Sequence, residues 1–401
     1  MACDAYVHGL HVAALAGAGS SSSQHPPCCD HLFGTTGKAT TLMSMEISTT
    51  RTESPVDEAR LAEILANPGF GTYFTDHMFT VEWTPADGWH SARVTPYGPL
   101  TLDPATAVLH YAQEIFEGMK AYRHADGSIW AFRPEENAAR MVRSSHRLAL
   151  PELPVEDFVQ AVEALVETDQ RWVPDPEGEK SLYVRPFMFA SEAFLGVRPA
   201  QHVTFMVIAS PAGSYFKGGI RPISLWLSEE YTRAGRGGMG AAKTGGNYAS
   251  SLLPQREAIE QGCDQVVFLD GEVGQYVEEL GGMNMYFVFK DGRIVTPALG
   301  TILEGITRGS IIELAGKMGH QVEERRFSID EWREGVTSGD ITEIFACGTA
   351  AVVTPVGELK WRGGSAPAPL STDLTSAIRT ALVDVQFGRA EDTFGWMHRI
   401  V

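Results

Sequence analysis

Between Gly237 and Tyr248 the chain reads Gly-Gly-Met-Gly-Ala-Ala-Lys-Thr-Gly-Gly-Asn-Tyr, with a single lysine, Lys243, and no acidic neighbour. Glycines on both sides let backbone approach a bound group closely. A loop lysine taken alone reads as a solvated cation. The chemistry open to this one is attack of its deprotonated amine on an aldehyde, which desolvation and nearby cations promote. Two downstream features favour that chemistry. Glu278 and Glu279 stand just before Gly281-Gly282 and a strand-like run. A carboxylate beside a pyridine nitrogen keeps it protonated, so that the ring can act as an electron sink. The segment Glu304-Gly-Ile-Thr307-Arg-Gly-Ser310 then opens a helix. Free amides and the helix dipole there suit a phosphate, and the Thr307 hydroxyl adds a donor. Lysine, glutamate and helix start, in that order, are the parts of a pyridoxal phosphate pocket.

The surrounding pattern predicts the elements that must hold these groups. Asp57–Ala66 carries apolar residues at helical spacing and stops near Asn67-Pro68-Gly69. Tyr73–Trp83 reads as a strand, 137–149 and 155–170 as helices, and Ser181–Phe189 and Val203–Ser210 as β-rich runs. Beyond a glycine-rich connection, Ala249–Gln261 reads as a helix, and Gln265–Asp270 and Met283–Phe289 as strands. Asp291-Gly292 is a hairpin turn returning into Ile294–Thr296. A helix over Thr307–Lys317, a strand over Ile341–Ala346 and a helix over Ser371–Phe387 complete the pattern. The expected fold class is α/β (α+β): a disordered extension over 1–45, a small domain over 46–212, a connection over 213–231, and a larger domain over 232–401 carrying Lys243. Ligand sites tend to lie in the cleft between two such domains.

Composition narrows the functions. The chain has 401 residues, 44% of them hydrophobic, enough for a sizeable core without metal or disulfide staples. Fifty acidic against 32 basic residues give a net charge of −18, which argues against nucleic acid and anionic lipid as partners. Five scattered cysteines without a CxxC pair make a zinc site or thiol redox centre improbable and fit a reducing, cytoplasmic compartment. No run of 18 apolar residues predicts a membrane span. The first 45 residues carry GAGSSSS (17–23) and no arginine, unlike a transit peptide, and Met45 is a plausible true start. GTTGKAT (34–40) has the wrong spacing for a phosphate loop.

From about Phe70 onward the sequence resembles the fold-type IV aminotransferases, specifically the bacterial form of branched-chain amino acid aminotransferase. The resemblance is carried by FGTYFTDHM (70–78), LHYAQEIFEGMKAYR (109–123), FRPEENAARM (132–141), LYVRP (182–186), KTGGNY (243–248), EELGGMN (278–284), EGITR (304–308) and CGTAAVVTP (347–355). It implies pyridoxal 5'-phosphate as cofactor, Lys243 as the Schiff-base lysine, Tyr248 on the cofactor's 3-hydroxyl oxygen and Glu279 on the ring nitrogen. Glu278 is then structural, since adjacent strand residues face opposite ways. Arg140, Thr307, the Ile306 and Thr307 amides and Thr349 are implied phosphate contacts, with Arg233 a further candidate near the phosphate. Arg143 and Arg147 read as a solvated basic face, and Leu303 is implied to pack on the ring.

For the substrate, the resemblance implies Phe70, Phe116, Tyr183 and Tyr215 as pocket walls and the Thr349 and Ala350 amides as carboxylate donors. Arg185 is a candidate for the distal carboxylate of glutamate. Tyr111, Leu195 and Val197 match positions that reach across the interface of a homodimer. The implied reaction is reversible amino transfer between leucine, isoleucine or valine and 2-oxoglutarate. A D-amino acid aminotransferase or an aminodeoxychorismate lyase shares the lysine and glutamate logic. Ala351-Val-Val-Thr354 stands where animal members carry a CxxC switch, and Cys347 reads as a small buried hydrophobe.

Overall fold

Residues 45–213 and 221–401 are described by the computed structural model of the protein. Except for Met45, the expected 1–45 extension lies outside the described residues, and so does Tyr215. Met45 itself is tied down: its N–H donates to the Gln160 side-chain oxygen and its carbonyl accepts from the Gln160 amide, both at 3.0 Å.

Two nine-stranded sheets organise the described chain. In the first the order is Ser48–Thr49, Gly88–Pro96, His77–Thr84, Val203–Ala212, Ser181–Ala190, Met119–Arg123, Ile129–Phe132 and Met397–Arg399, with Glu114–Phe116 also paired to Ser181–Ala190. The chain's last strand therefore closes the first sheet, pairing Met397 with Phe132 and Arg399 with Trp130. The second sheet runs Val277–Leu280, Gln265–Leu269, Ile223–Ser228, Val352–Trp361, Ile341–Gly348, Asn284–Phe289, Ile294–Pro297 and Val322–Arg325, with Gly364–Ala366 on the Val352–Trp361 strand.

Side-chain period explains both cores. The Val155–Thr168 helix packs on the first sheet, where Phe158, Phe79 and Phe205 are all at most 1% exposed. Asn284–Phe289 reads as a continuous apolar run because both faces of its sheet are covered. Tyr286 faces the Ile306–Lys317 and Asp373–Gln386 helices, while its neighbour Phe287 stacks on Phe327 at 3.9 Å on the other side.

Local chemistry sets the element ends. Asp57 caps the Glu58–Ala66 helix by accepting from the Arg60 N–H at 2.9 Å. The expected helix over Ala249–Gln261 is instead two, Gly245–Ala249 and Leu252–Glu260. Pro254 lacks the N–H that a continuous helix would bond to Ser250, and the Ser250 and Ser251 hydroxyls turn back onto the Asn247 carbonyl at 2.8 and 3.1 Å. The expected Tyr73–Trp83 strand starts only at His77. Asp76 ahead of it is occupied as an acceptor for the Val56 amide, the Trp172 indole and Arg171.

Candidate active site

Lys243 sits between the two sheets' loops on backbone that is bound at both ends. Its N–H donates to the Ser144 hydroxyl at 3.0 Å, and its carbonyl accepts from the Phe116 N–H at 3.0 Å. The amine Nζ is 2.7 Å from the Tyr248 oxygen and lies over the Phe116 and Tyr248 rings, 4.9 and 5.2 Å from their centroids. No described carboxylate pairs with it, so nothing charged competes for the amine. Glu114 holds the loop behind it, accepting from the Gly245 amide. Burial pushes the Glu114 carboxyl up from its ordinary range, with the Gly245 bond opposing.

Glu279 is buried on one side of this amine. A single oxygen, Oε1, accepts from the Leu303 N–H at 2.9 Å and takes the ion pair from Arg233, leaving Oε2 without a hydrogen bond among the described residues. Burial pushes its carboxyl up, and Arg233 opposes that. Arg233 also donates to the Gly240 and Thr301 carbonyls at 3.0 and 3.1 Å. Arg233, a candidate contact near the phosphate in the sequence reading, is paired with Glu279, where a buried carboxylate needs a buried counter-charge. Glu278, on the opposite face, accepts from the Thr301 hydroxyl.

Arg140 lies on the Pro134–Leu148 helix, 4% exposed, in a two-pronged pair with Glu117 at 2.9 and 2.7 Å. Its third bond, at 3.0 Å, goes to the Glu304 carbonyl at the mouth of the Ile306–Lys317 helix. Of the five guanidinium N–H groups, two remain without an acceptor among the described residues. Burial would lower the guanidinium pKa, but Glu117 outweighs it and raises it. The Ile306 and Thr307 amides at that helix start have no acceptor within the described chain. Gly305 precedes them because a Cβ there would lie 2.1 Å from the Asn284 side-chain oxygen; Asn284 in turn donates to the Leu303 carbonyl at 3.1 Å.

Ile306 and Thr307 share a small cavity with Thr349 and Lys120. Thr349 and Ala350 form the turn joining the Ile341–Gly348 and Val352–Trp361 strands. Val352 closes the turn at φ 59°, an uncommon conformation for a β-branched residue and a sign of strain held by its surroundings. Lys120 props the turn from beneath, its amine 3.2 Å from the Ala350 carbonyl. Burial pushes the Lys120 amine down to about 8, with Glu179 opposing.

The aromatic residues converge on the same space. Phe70 meets Tyr183 edge-on at 5.1 Å, and Phe116 meets Tyr248 at 4.9 Å. The Arg185 guanidinium stacks over Phe116 and Tyr183 at 4.7 and 5.4 Å and donates to the Tyr183 hydroxyl at 2.9 Å, with its Nε buried and unpartnered. Gly118 makes room for that hydroxyl; a Cβ there would lie 2.1 Å from it. Tyr111, Leu195 and Val197 stand apart: the Tyr111 hydroxyl donates to the Leu195 carbonyl, its ring neighbours are His110 and Phe194, and Val197 is 90% exposed.

Four positions carry more than the sequence reading assigns to them. Glu117 and Lys120 sit inside a quoted segment, and only their burial in the fold distinguishes them from surface charge. Ser144 carries no sequence signal. Arg147, read as solvated, donates to the Gly237 and Gly238 carbonyls at 3.0 and 3.2 Å and so steadies the glycine loop; Arg143, half-exposed, pairs with Glu304 at 2.9 Å. Cys347 is buried and its thiol is pushed up to about 12 by that burial, so it is inert.

These groups fit a phosphorylated pyridine aldehyde. The described residues combine an amine without a carboxylate partner, a carboxylate with one oxygen open, and anion donors left unused: Arg140 and two helix amides. A family profile described as amino-transferase class IV matches residues 114–359. A probable branched-chain-amino-acid aminotransferase of Streptomyces coelicolor is 56% identical over 349 residues, which is 86% of this chain and 96% of that one. Among solved structures, the branched-chain amino acid aminotransferase of Escherichia coli superposes with a TM-score of 0.66 at 28% identity, over 80% of this chain and 99% of that one. The branched-chain amino acid aminotransferase of Thermobaculum terrenum, in its PLP-form, does so with a TM-score of 0.64 at 25% identity, over 81% and 98%. With the lysine, the acid and the anion donors in place, and with relatives matched over nearly their whole length, the chain belongs to the class IV aminotransferases.

Proposed function

We propose that this chain is a pyridoxal phosphate-dependent branched-chain amino acid aminotransferase, exchanging the amino group between leucine, isoleucine or valine and 2-oxoglutarate. Bound pyridoxal phosphate supplies an aldehyde carbon to carry the amino group and a ring to take up the electrons of the broken Cα–H bond. Lys243 would hold the aldehyde carbon and, once displaced by the substrate amine, would take the Cα proton and deliver it to the carbon that had carried the aldehyde. Tyr248, 2.7 Å from that amine, orients it. The open oxygen of Glu279 holds a proton on the ring nitrogen. Arg140, Thr307, Thr349 and the Ile306 and Thr307 amides hold the phosphate.

Phe70, Phe116 and Tyr183 wall a pocket for an aliphatic side chain. One methylene changes binding there by only about 1–3 kcal/mol, so the three branched substrates are accepted together. The Thr349 and Ala350 amides bind the α-carboxylate, with Lys120 steadying their turn. Arg185, with its unpartnered buried Nε, receives the distal carboxylate of 2-oxoglutarate. The exposed Tyr111, Leu195 and Val197 support a homodimer in which they complete the second subunit's site. Buried reduced thiols at Cys263 and Cys347 suit work in the cytoplasm.

The observation that carries this reading is the Lys243 amine on Tyr248 with no described carboxylate paired to it. The test is a titration of the yellow, coenzyme-loaded protein with L-leucine. Its absorbance is expected to bleach, to return on addition of 2-oxoglutarate, and to yield one glutamate per leucine consumed. Turnover of D-alanine with none of L-leucine would assign the site to a D-amino acid aminotransferase instead.

A further inference from the structure

Lys243 follows a glycine-rich segment, yet what fixes its backbone belongs to the first sheet and the helix packed on it. Its N–H donates to the Ser144 hydroxyl oxygen and its carbonyl accepts from the Phe116 N–H, both at 3.0 Å. Two residues on, the Gly245 N–H donates to the Glu114 carboxylate. Gly240, Gly245 and Gly246 give the flanking backbone a freedom that other residues lack. These bonds, rather than local sterics, therefore decide where the lysine's Cα stands. Among the described residues, Ser144 is the one side chain bonded to the backbone N–H or C=O of Lys243.

A serine in mid-helix ordinarily points to water or bonds back to its own helix. Ser144 is 1% exposed, and its oxygen accepts from a segment 99 residues further along the chain. It stands four residues after Arg140 on the Pro134–Leu148 helix, on the same face and about 6 Å further along the axis. That helix is pinned to the rest of the site at three levels. Arg133, just ahead of it, donates to the Ser310 hydroxyl at 2.9 Å. Arg140 donates to the Glu304 carbonyl, and Arg147 to the Gly237 and Gly238 carbonyls. One rigid element thus carries both the guanidinium N–H groups left for a phosphate and the acceptor that holds the lysine.

We infer that Ser144 is a positioning residue: from the helix that carries Arg140, it sets where the Lys243 amine stands relative to a phosphate gripped one turn away. This rests on the proposed reaction and adds to it a residue that acts only through the lysine. Without the Ser144 oxygen, the Lys243 N–H loses its acceptor in a segment free to turn toward another. The amine then leaves the line that its 2.7 Å contact with Tyr248 defines. Proton transfer at Cα suffers, because a misplacement of about 1 Å can cost about 100-fold in rate. The phosphate donors and the aromatic walls are set by other contacts and keep their places.

The test compares Ser144→Ala with the wild type as coenzyme-loaded protein. Each is mixed rapidly with L-leucine, or with L-leucine deuterated at Cα, and the bleaching of the coenzyme absorbance is followed through a single turnover. The maximal rate is expected to fall at least about tenfold, with the leucine concentration for half-maximal rate within about twofold of the wild type. Coenzyme is retained, and the deuterium isotope effect is no smaller than in the wild type. A serine that only braced the fold would lower the melting temperature and leave the rate of the loaded protein alone. Where Ser144→Ala fails to fold, Ser144→Cys carries the same test, its sulfur being a weaker acceptor, with a fall of at least about threefold expected. A rate within about twofold of the wild type, or an isotope effect collapsing toward one, would overturn the role of Ser144. Wild-type protein that does not bleach with L-leucine would overturn the proposed reaction itself, and this role with it.

Discussion

The site is held at its two ends by two buried arginine–glutamate pairs that work in opposite senses. In Arg140–Glu117 the glutamate is consumed: both oxygens face the arginine, and Asn137 adds a third donor at 2.8 Å. The arginine keeps two N–H groups and offers them to an anion. In Arg233–Glu279 the arginine reaches the glutamate and two carbonyls through Nη2 alone, its Nε is buried without a partner among the described residues, and the glutamate keeps one oxygen open. The same ion pair thus presents positive charge at one end and negative charge at the other. A coenzyme with a phosphate and a ring nitrogen at opposite ends is read by that difference. Burying either charge alone would cost several kcal/mol, whereas a paired charge can be kept dry and still show one face to the site.

The comparison is tested most severely by Lys243→Ala, which removes the group both pairs serve. The kcat is expected to fall by more than about 10⁴-fold, with loss of the coenzyme's bound absorbance; a rate near the wild type would remove the lysine from the mechanism. Glu117→Ala should act next most strongly, and on stability. Leaving Arg140 buried and unpaired is expected to cost about 3–5 kcal/mol in denaturant unfolding, with weakened coenzyme binding. Glu279→Gln should separate the two ends: coenzyme retained, kcat down about 10²–10³-fold. If Glu279→Gln lost coenzyme and kept its rate, the assignment of ends would be reversed.

The smallest expected effect concerns Lys120. Its folded pKa is pushed down to about 8 from 10.5. Between these values the unfolded chain holds a proton that the folded chain has shed, so Lys120 makes stability rise with pH across that window. The wild type should therefore gain on Lys120→Met in melting temperature as pH climbs from about 8 to 10.5, and a constant difference would refute the shift. The same variant should raise KM for leucine more than it lowers kcat, because the Ala350 turn loses its prop.

Much of this is legible in the sequence, and the legible parts share a cause. Lys243 and Tyr248 are five residues apart on one turn of chain, so a local motif states their relation. The helix start at Ile306–Thr307 follows from Gly305 and the apolar pattern after it, and the Asp291-Gly292 turn from Gly292 at φ 88°. What escapes is non-local. Nothing along the chain says that Glu279, 46 positions on, is the counter-ion of Arg233. Lys120 and Ala350 meet across 230 residues. Met397–Arg399 returns to the first sheet, a pairing that no spacing announces.

The amino-acid order alone determined which groups are present and which local shapes carry them: a lysine between glycines, a carboxylate on a strand, free amides at a helix start. Those depend on backbone sterics and capping, which act over a few residues. Tertiary structure alone decided which charges neutralise each other, which face of each pair stays open, and that Glu278 meets Thr301 while Glu279 meets Arg233. Burial and counter-charge are properties of the packed whole, because a charge becomes expensive, and its partner necessary, only when distant segments close over it.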